Sequence, residues 1–243
     1  MIEDAFDRRI RQTWAEHFGR DAAVTRQPGT SIIARERLAG TGAIHIWNID
    51  ARAFVEADPV HAESLERLAM LLGPQSRLTA RAVRESWGTE RIVPEGTALI
   101  YHLHPGDLVP WRPEPPLTAR RLTPEDAALV QALNDACTPE EAEEGYVGAD
   151  HEIAFACFDG DRAVSVVSGY RRNGFMDMGS LTHPAYRGRR LAPAALAAAS
   201  ALTFELGLIP QYRCDAQNVA SRRVAEVTGY TLYFTNEVIA IVG

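Results

Sequence analysis

The feature that most constrains how this chain can fold is a proline-rich stretch near its middle. Residues 105–116 hold five prolines: Pro105, Pro110, Pro113, Pro115 and Pro116. Proline fixes φ and lacks an amide hydrogen, so such a stretch forms neither a helix nor a central strand. We therefore expect a domain boundary here, which divides the chain into an N-terminal domain at 1–105, a linker at 106–117 and a C-terminal domain at 118–243.

Residues 1–105 are predicted to mix helices and strands. Apolar residues at helical spacing from Ile2 to Phe18 indicate an amphipathic helix, which Gly19 ends. A second helix is predicted from Asp58-Pro59 to about residue 72, because proline is favoured at the first helical position. A third helix is predicted at 78–86, and strands are predicted at 31–35, 43–49 and 97–103.

Residues 118–243 have a clearer succession of elements. Thr123-Pro124 and Thr138-Pro139 each place a capping threonine before a proline and acidic residues, which is typical of a helix start. Glycine with Asn or Asp at 159–161 and 172–174 predicts tight hairpins. The predicted order is a strand at 118–122, helices from 123 and from 138, strands at 153–158, 163–170 and 175–182, a helix at 191–206, a strand at 210–215, a helix at 221–227, and strands at 231–234 and 237–242.

Composition excludes several classes of protein. The 243 residues are 46% hydrophobic and 23% charged, as in ordinary globular proteins, and the net charge of -7 argues against general nucleic-acid binding. Three widely spaced cysteines give no zinc-type pairing, so we expect reduced thiols and no metal: Cys137, Cys157 and Cys214. The N-terminus lacks the apolar core of a signal peptide, and the longest apolar stretch, 191–202, is too short for a membrane span. We expect a cytoplasmic monomer or homodimer without nucleic-acid or membrane partners.

The segment 178–192, MGSLTHPAYRGRRLA, carries the chemistry. A strand leads into His183-Pro184, a basic turn around Gly188, and then directly into a helix. A helix start has unpaired amides and partial positive charge, which together favour phosphate, and Gly188 lets the backbone approach a ligand closely. The neighbouring arginines add forked donors suited to phosphate oxygens. The alternative interpretation is a basic surface turn without a ligand.

In order and spacing, residues 118–243 resemble the GNAT N-acetyltransferase superfamily. Its loop has the form Arg/Gln-x-x-Gly-x-Gly/Ala; here Arg187 and Ala192 match the ends and Arg190 replaces the inner glycine. Asn218 and the later Gly229-Tyr230 are similar to a second family signal. The run of motif residues from 182 to 230 resembles the zwittermicin-resistance type, whose members carry an extra N-terminal domain.

The resemblance implies a fold of the α/β (α+β) class, with a smaller mixed α/β N-terminal domain before a mixed, mostly antiparallel GNAT-like sheet flanked by helices. It implies direct transfer of an acetyl group from acetyl-CoA to the primary amine of a small molecule. A backbone amide near Leu181 or Thr182 would polarise the thioester carbonyl. The implied cofactor-binding residues are Ser180, Leu181, Thr182, Arg187, Gly188, Arg189, Arg190, Leu191, Ala192, Pro193, Asn218 and Ser221. A positive φ at Arg190 would strain the loop.

Amine attack requires a group that removes the ammonium proton, and three residues are candidates. They are Asp177 within the strand before the loop, His183 at its end, and Asp215 at the end of the next strand. Histidine titrates near neutrality, whereas an aspartate needs burial to raise its pKa. The alternatives are a turn-capping role for Asp215 and a strand-end hydrogen bond for His183.

The general acid is left unassigned by the sequence. The family's usual tyrosine, seven residues after the asparagine, is Ala225 here. The remaining candidates are Tyr186, Tyr230, Tyr233 and Cys214, although packing in the core is the favoured interpretation of Tyr230 and Cys214. Trp47, Trp87 and Trp111 are candidates to line a pocket or to pack in the core.

Two other functions remain open at this stage. Ala225 and Arg190 are also compatible with a sensor that binds acyl-CoA without catalysis. A nucleotide-binding protein with a different anion at the loop is the third possibility. Neither a Walker-type Gly-Lys-Ser/Thr nor a Rossmann Gly-x-Gly-x-x-Gly motif is present.

Overall fold

The computed structural model describes residues 5–242, which fall into two compact units. The first unit combines the chain up to Ile100 with the segment from Tyr233 onward, and the second is Tyr101–Leu232. The predicted helix start at Ile2 and the end of the predicted C-terminal domain at residue 243 lie outside the described residues. Within the described part of the chain, no helix is both long and apolar enough to cross a membrane.

The first unit has one sheet with helices packed against it. Its sheet order is β1-β3-β2-β10, in which β1 runs parallel to β3 and the other neighbours are antiparallel. The elements are α1 (Ala5–His17), β1 (Gly29–Ala34), β2 (Ala43–Ile49), β3 (Arg52–Ala57), α2 (Pro59–Leu72), α3 (Ala80–Trp87), and parts of β4 (Ile92–His102) and of β10, the chain's last strand (Thr231–Ile241).

Two features of the first unit differ from the sequence prediction. Strand β3 was not predicted, because the turn before it contains no glycine and Asp50 itself takes the positive φ of 49°. The two predicted strands at 231–234 and 237–242 are a single strand, because Asn236 stays extended and pairs with Trp47 in the ladder to β2. The predicted start of α2 is confirmed, since Asp58 accepts a hydrogen bond from the amide of Val60.

A buried carboxylate on β3 of the first unit contacts side chains from several neighbouring elements. Glu56 on β3 is fully buried, and its oxygens lie 2.5 Å from Arg35 Nε and 2.8 Å from Arg37 Nη2. Trp47 Nε1 donates to the same carboxylate at 3.2 Å, and His17 Nε2 lies 3.5 Å away. Burial alone would raise the pKa of Glu56, but the hydrogen bond from His17 and the charge of Arg35 prevail and lower the pKa to about 2.

The second unit has a five-stranded sheet in the order β9-β8-β7-β6-β5, antiparallel except for the parallel pair β8 and β9. The alanine-rich α6 packs on β6, β7 and β8, where its small side chains permit close approach; α4 and α5 pack on β8 as well. The elements are β5 (Thr118–Arg121), α4 (Ala127–Asp135), α5 (Pro139–Gly145), β6 (Ile153–Asp159), β7 (Arg162–Arg172), β8 (Phe175–Thr182), α6 (Leu191–Glu205), β9 (Pro210–Asp215) and α7 (Val219–Thr228). The predicted mixed α/β class, with a mostly antiparallel sheet flanked by helices, is confirmed.

The proline-rich stretch lies within the second unit, whereas the sequence suggested a linker at 106–117. Trp111 Nε1 donates to Val227 O at 2.9 Å, and the Val109 amide donates to Thr228 O at 3.1 Å. These bonds hold the stretch along α7. The last strand, from Tyr233 onward, groups with the first unit because it pairs with β2.

The buried Glu56 gives the stability a defined pH dependence. Its pKa of about 2 in the folded state lies below the roughly 4.3 of an unfolded chain, so its stabilising effect is complete above about pH 5 and is lost as the pH falls toward 2. We expect the unfolding free energy of the wild type to lose roughly 3 kcal/mol more between pH 5 and pH 2 than that of Glu56→Gln. Urea titrations followed by tryptophan fluorescence measure this. Equal pH dependence of the two proteins would contradict the assignment.

Candidate functional site

A cleft of about 750 Å³ lies in the second unit, a size usual for ligand sites. Its walls come from the ends of β8 and β9, the loop before α6, and the facing parts of α5 and α7, with Trp111 from the proline-rich stretch. The cleft therefore lies where the parallel strand pair meets the start of the alanine-rich helix.

The cleft exists because β8 and β9 separate. Their ladder runs only from Met176 opposite Pro210 to Met178 opposite Tyr212, although both strands continue further. The Met176 amide donates to Ile209 O, toward β9. Because this direction alternates along a strand, the amides and carbonyls of Ser180 and Thr182 face the gap. This edge of β8 can pair with an extended ligand.

A close glycine contact sets the position of α5 beside the gap. A side chain at Gly179 on β8 would collide with the carbonyl oxygen of Gly145, the last residue of α5. Because both positions lack a Cβ, the end of α5 rests directly on the strand edge. This contact brings Glu144 to the rim of the cleft, where Asn218 Nδ2 lies 3.4 Å from Glu144 Oε2.

The loop before α6 presents a run of unpaired amides. Within residues 5–242, no protein acceptor is hydrogen-bonded to the main-chain N–H groups of 188–192. The first bond of the helix is donated by Ala194 to Arg190 O, so the amides of Leu191 and Ala192 have no intrahelical partner. Successive unpaired amides at the start of a 15-residue helix favour an anion.

The arginines of this loop are held by neighbours. Arg187 Nη2 lies 2.9 Å from Glu141 Oε2, and this hydrogen bond lowers the pKa of Glu141. The guanidinium carbon of Arg189 lies 5.3 Å from the centre of the Tyr186 ring. These contacts hold the arginine side chains in place, and they leave the loop amides as donors without a partner.

Arg190 has the left-handed conformation, with φ 60° and ψ 26°. For a residue other than glycine this costs about 1–2 kcal/mol. Its guanidinium carbon lies 5.0 Å from the centre of the Trp111 ring, a cation–π contact worth roughly 0.5–1 kcal/mol. The backbone strain that the sequence predicted for a positive φ at Arg190 is therefore present. The cation–π contact with Trp111 offsets part of the free energy that this strain costs.

Asp177 lies outside the cleft. It is buried and accepts hydrogen bonds from Arg213 Nε at 2.8 Å and Gln211 Nε2 at 3.0 Å, and Arg213 Nη2 lies 2.6 Å from it. Both of its oxygens are therefore used in an ion pair. This arrangement holds β9 against β8 just before the strands separate.

His183 also lies outside the cleft. Asp215, by contrast, is one of the residues that line the cleft. His183 Nδ1 accepts from the Ala185 amide at 3.2 Å, and its Nε2 lies 2.6 Å from Arg162 Nη2. Desolvation and the charge of Arg162 lower the pKa of His183. Asp215 Oδ1 accepts from the Gln217 amide at 2.7 Å, which forms a turn before α7. Of the three candidate bases, the structure brings only Asp215 to the cleft.

The residues predicted to bind the cofactor converge on this cleft. All of them except Arg189 line it. Asn218 additionally accepts from the Ser221 amide at 2.9 Å and so caps α7. The carbonyl of Thr182 accepts from Arg187 Nε at 3.2 Å, which joins the loop to the end of β8.

Several lining residues were absent from the sequence-based set, and Glu144 and Tyr212 are the polar ones that matter for the chemistry. Glu144 belongs to an acidic run on α5, and its sequence neighbours give no sign of which glutamate faces the ligand. Tyr212 shares a strand with the predicted Asp215, but strand alternation places residues three apart on opposite faces, so Asp215 gave no signal for it. Its buried hydroxyl contacts Ser180 and Ser221, both of which were predicted.

Comparison with known proteins gives a family and a fold. Residues 108–231, just over half of the chain, match the model of the acetyltransferase (GNAT) domain. No curated protein matches the chain by sequence.

Several solved structures are similar to this chain. A GCN5-related N-acetyltransferase from Kribbella flavida has a TM-score of 0.52 at 16% identity, covering 69% of this chain and 65% of that one. An acetyltransferase from the GNAT family from Colwellia psychrerythraea has a TM-score of 0.52 at 13% identity, covering 77% and 76%. A GCN5-related N-acetyltransferase from Sphaerobacter thermophilus has a TM-score of 0.51 at 16% identity, covering 65% of this chain and 55% of that one. This chain thus spans less than two thirds of the first and third, and at these identities the similarity supports the fold alone.

The strain at Arg190 can be measured by comparing two substitutions. Arg190→Ala removes the contact with Trp111 and keeps the unfavourable φ, whereas Arg190→Gly removes both. We expect the glycine variant to be more stable than the alanine variant by about 1 kcal/mol in denaturant titrations. The matched control is Arg189, whose φ is not positive. There the alanine variant should be the more stable one, and the same order at both positions would contradict the assigned strain.

Proposed function

Since the chain belongs to the GNAT acetyltransferase family, we propose that it transfers an acetyl group from acetyl-CoA to the primary amine of a small molecule. The observation that carries the proposal is that one cleft is lined both by a loop whose amides at 188–192 are unpaired, Arg189 alone lying outside the lining, and by an open strand edge. A diphosphate fits the first feature and an extended amide-containing arm fits the second. Acetyl-CoA contains both groups in one molecule.

Binding of the acyl donor would begin at the loop. The amides of residues 188–192 are placed to donate to diphosphate oxygens, and the dipole of α6 favours the negative charge. Pro193 contributes no N–H, and it occupies a first-turn position where none is needed. Gly188 and Arg190 both have a positive φ, and left-handed residues of this kind occur in the turns whose successive amides bind one anion.

The pantetheine arm would lie along the open edge of β8. The amides of Ser180 and Thr182 and the carbonyl of Ser180 are available to its two peptide-like groups, whereas the carbonyl of Thr182 already accepts from Arg187. The thioester then lies near the point where β8 and β9 separate. An amide of this edge can donate to the thioester carbonyl and stabilise the negative charge that develops on it.

Removal of the proton from the attacking ammonium is assigned to Asp215. Asp215 lines the cleft at the end of β9, three residues beyond Tyr212, where the ladder with β8 ends. Glu144 on the opposite wall adds negative charge that attracts a cationic amine. Arg213 at this end is already paired with Asp177, so it does not cancel these carboxylates.

The finer placement within the family rests on the motif run that begins at Thr182 and ends at Tyr230. This run resembles the zwittermicin-resistance type, and the chain also has a unit before its GNAT domain, as that branch does. We therefore propose an antibiotic-like or amino-acid-like amine as the acceptor class.

The proposal is tested by release of coenzyme A thiol in the presence of a panel of small amines. We expect amine-dependent release by the wild type and a loss of kcat of about 100-fold or more in Asp215→Asn, with unchanged acetyl-CoA affinity. Asparagine keeps the Oδ1 acceptor of the turn to Gln217, so the local structure is retained.

The matched control is Asp161→Asn, since Asp161 is an exposed turn residue outside the cleft, and it should retain full activity. Acetyl-CoA binding by calorimetry without amine-dependent thiol from any amine in the panel would identify a sensor instead. Absence of acetyl-CoA binding would contradict the proposal altogether.

A further inference from the structure

Three hydroxyl groups form a hydrogen-bonded chain in the wall of the cleft. Tyr212 Oη lies 2.6 Å from Ser180 Oγ and 2.8 Å from Ser221 Oγ. The tyrosine is almost fully buried, whereas both serines are partly exposed, and all three line the cleft. The chain joins β8, β9 and α7 at the point where the β8–β9 ladder ends.

The number of protons in this chain leaves one available. Three hydroxyls carry three protons, and the two hydrogen bonds among them use two. The third proton can be donated to a further acceptor. Reversal of both bonds moves the available proton between Ser180 and Ser221 without moving any heavy atom. The arrangement therefore allows a proton to enter at one end and leave at the other.

The phenol is the most acidic member of the chain. A tyrosine ordinarily titrates near pH 10, and burial raises the pKa of Tyr212 above that value. Its hydroxyl is therefore protonated at neutral pH and remains a donor. The serines alone are much weaker acids, so their role is to connect the phenol with the cleft.

Other candidate donors in or near the cleft are less suitable. Tyr186 lines the cleft, but its hydroxyl donates to Asp159 Oδ2 at 2.6 Å. Tyr230 is buried beside Ser200 and does not line the cleft, and Ala225 has no hydroxyl. Burial raises the pKa of the Cys214 thiol to about 11, and a thiol is a weak hydrogen-bond donor.

We propose that the Ser180–Tyr212–Ser221 chain supplies the proton to the thiolate that leaves during acetyl transfer. This rests on the proposed function and assigns the acid that the sequence left open. The amine nitrogen forms a bond to the thioester carbon, the carbon–sulfur bond breaks, and its electron pair remains on sulfur. The nitrogen, which has given one proton to Asp215, releases a second to water as the amide forms. Sulfur takes a proton from the chain, and the chain regains one from this water at its other end.

The first measurement needs no acceptor amine. The thiol of bound coenzyme A is titrated through the ultraviolet absorbance of its thiolate, in the wild type and in Tyr212→Phe. A hydrogen bond donated to the thiolate favours the charged form. We therefore expect the bound thiol to be about tenfold less ionised at a given pH in Tyr212→Phe. Ser221→Ala, which cuts one end of the chain, should change the ionisation in the same direction.

The second measurement is the pH profile of kcat. We expect Tyr212→Phe to lose about 100-fold in kcat and to lose the decline of the wild-type profile at alkaline pH, with acetyl-CoA affinity unchanged. The matched control is Tyr230→Phe. It removes a tyrosine hydroxyl that is also buried and is hydrogen-bonded to Ser200, and we expect it to keep the wild-type kcat and the wild-type pH profile.

The outcomes separate this inference from the proposed function. Thiol ionisation in bound coenzyme A that is equal in the wild type and Tyr212→Phe would overturn the hydroxyl chain and leave the acetyltransferase assignment intact. Equal losses of kcat in Tyr212→Phe and Tyr230→Phe would indicate a packing effect and would also overturn it. A wild type that fails to bind coenzyme A would overturn both.

Discussion

The early end of the ladder between β8 and β9 is the constraint on which the rest of the site depends. Main-chain groups that lose their partners within a protein must be satisfied by another acceptor or donor, because leaving them unpaired costs free energy. Here the strands separate after Met178 and Tyr212, and the open edge faces a cleft. The Gly145–Gly179 contact on one side and the Tyr212 hydroxyl on the other line the opening. In the proposed function, an extended ligand pairs with this open edge.

The anion site illustrates how backbone conformation and side chains divide their roles. The loop amides at 188–192 have no protein acceptor and are the groups that we propose bind the ligand, while the arginines around them pair with Glu141 or lie over Tyr186 and Trp111. Arg190 occupies a left-handed position that glycine would occupy more cheaply, and its stacking partner comes from the proline-rich stretch. A segment that looks like a linker in the sequence therefore supports the loop, because its own tryptophan is anchored to α7.

Local signals predicted the elements around the cleft well, and tertiary pairing decided the rest. The strand–turn–helix segment at 175–206 depends on neighbouring residues, so proline, glycine and strand periodicity were sufficient. These local signals could not tell which of the two candidate bases, Asp177 or Asp215, lines the cleft. Both lie on strands beside the gap, but only the structure shows that Arg213 and Gln211 donate hydrogen bonds to the Asp177 carboxylate. The missing signals for β3 and for the hydroxyl of Tyr212 have the same origin, since each depends on a partner distant in the chain.

The most direct test of the whole account is a crystal structure of the protein with acetyl-CoA. The account predicts diphosphate oxygens within about 3 Å of the main-chain nitrogens of residues 188–192, and the amide groups of pantetheine paired with the edge of β8 at Ser180 and Thr182. A diphosphate bound elsewhere, with these loop amides turned toward acceptors of the protein itself, would contradict it.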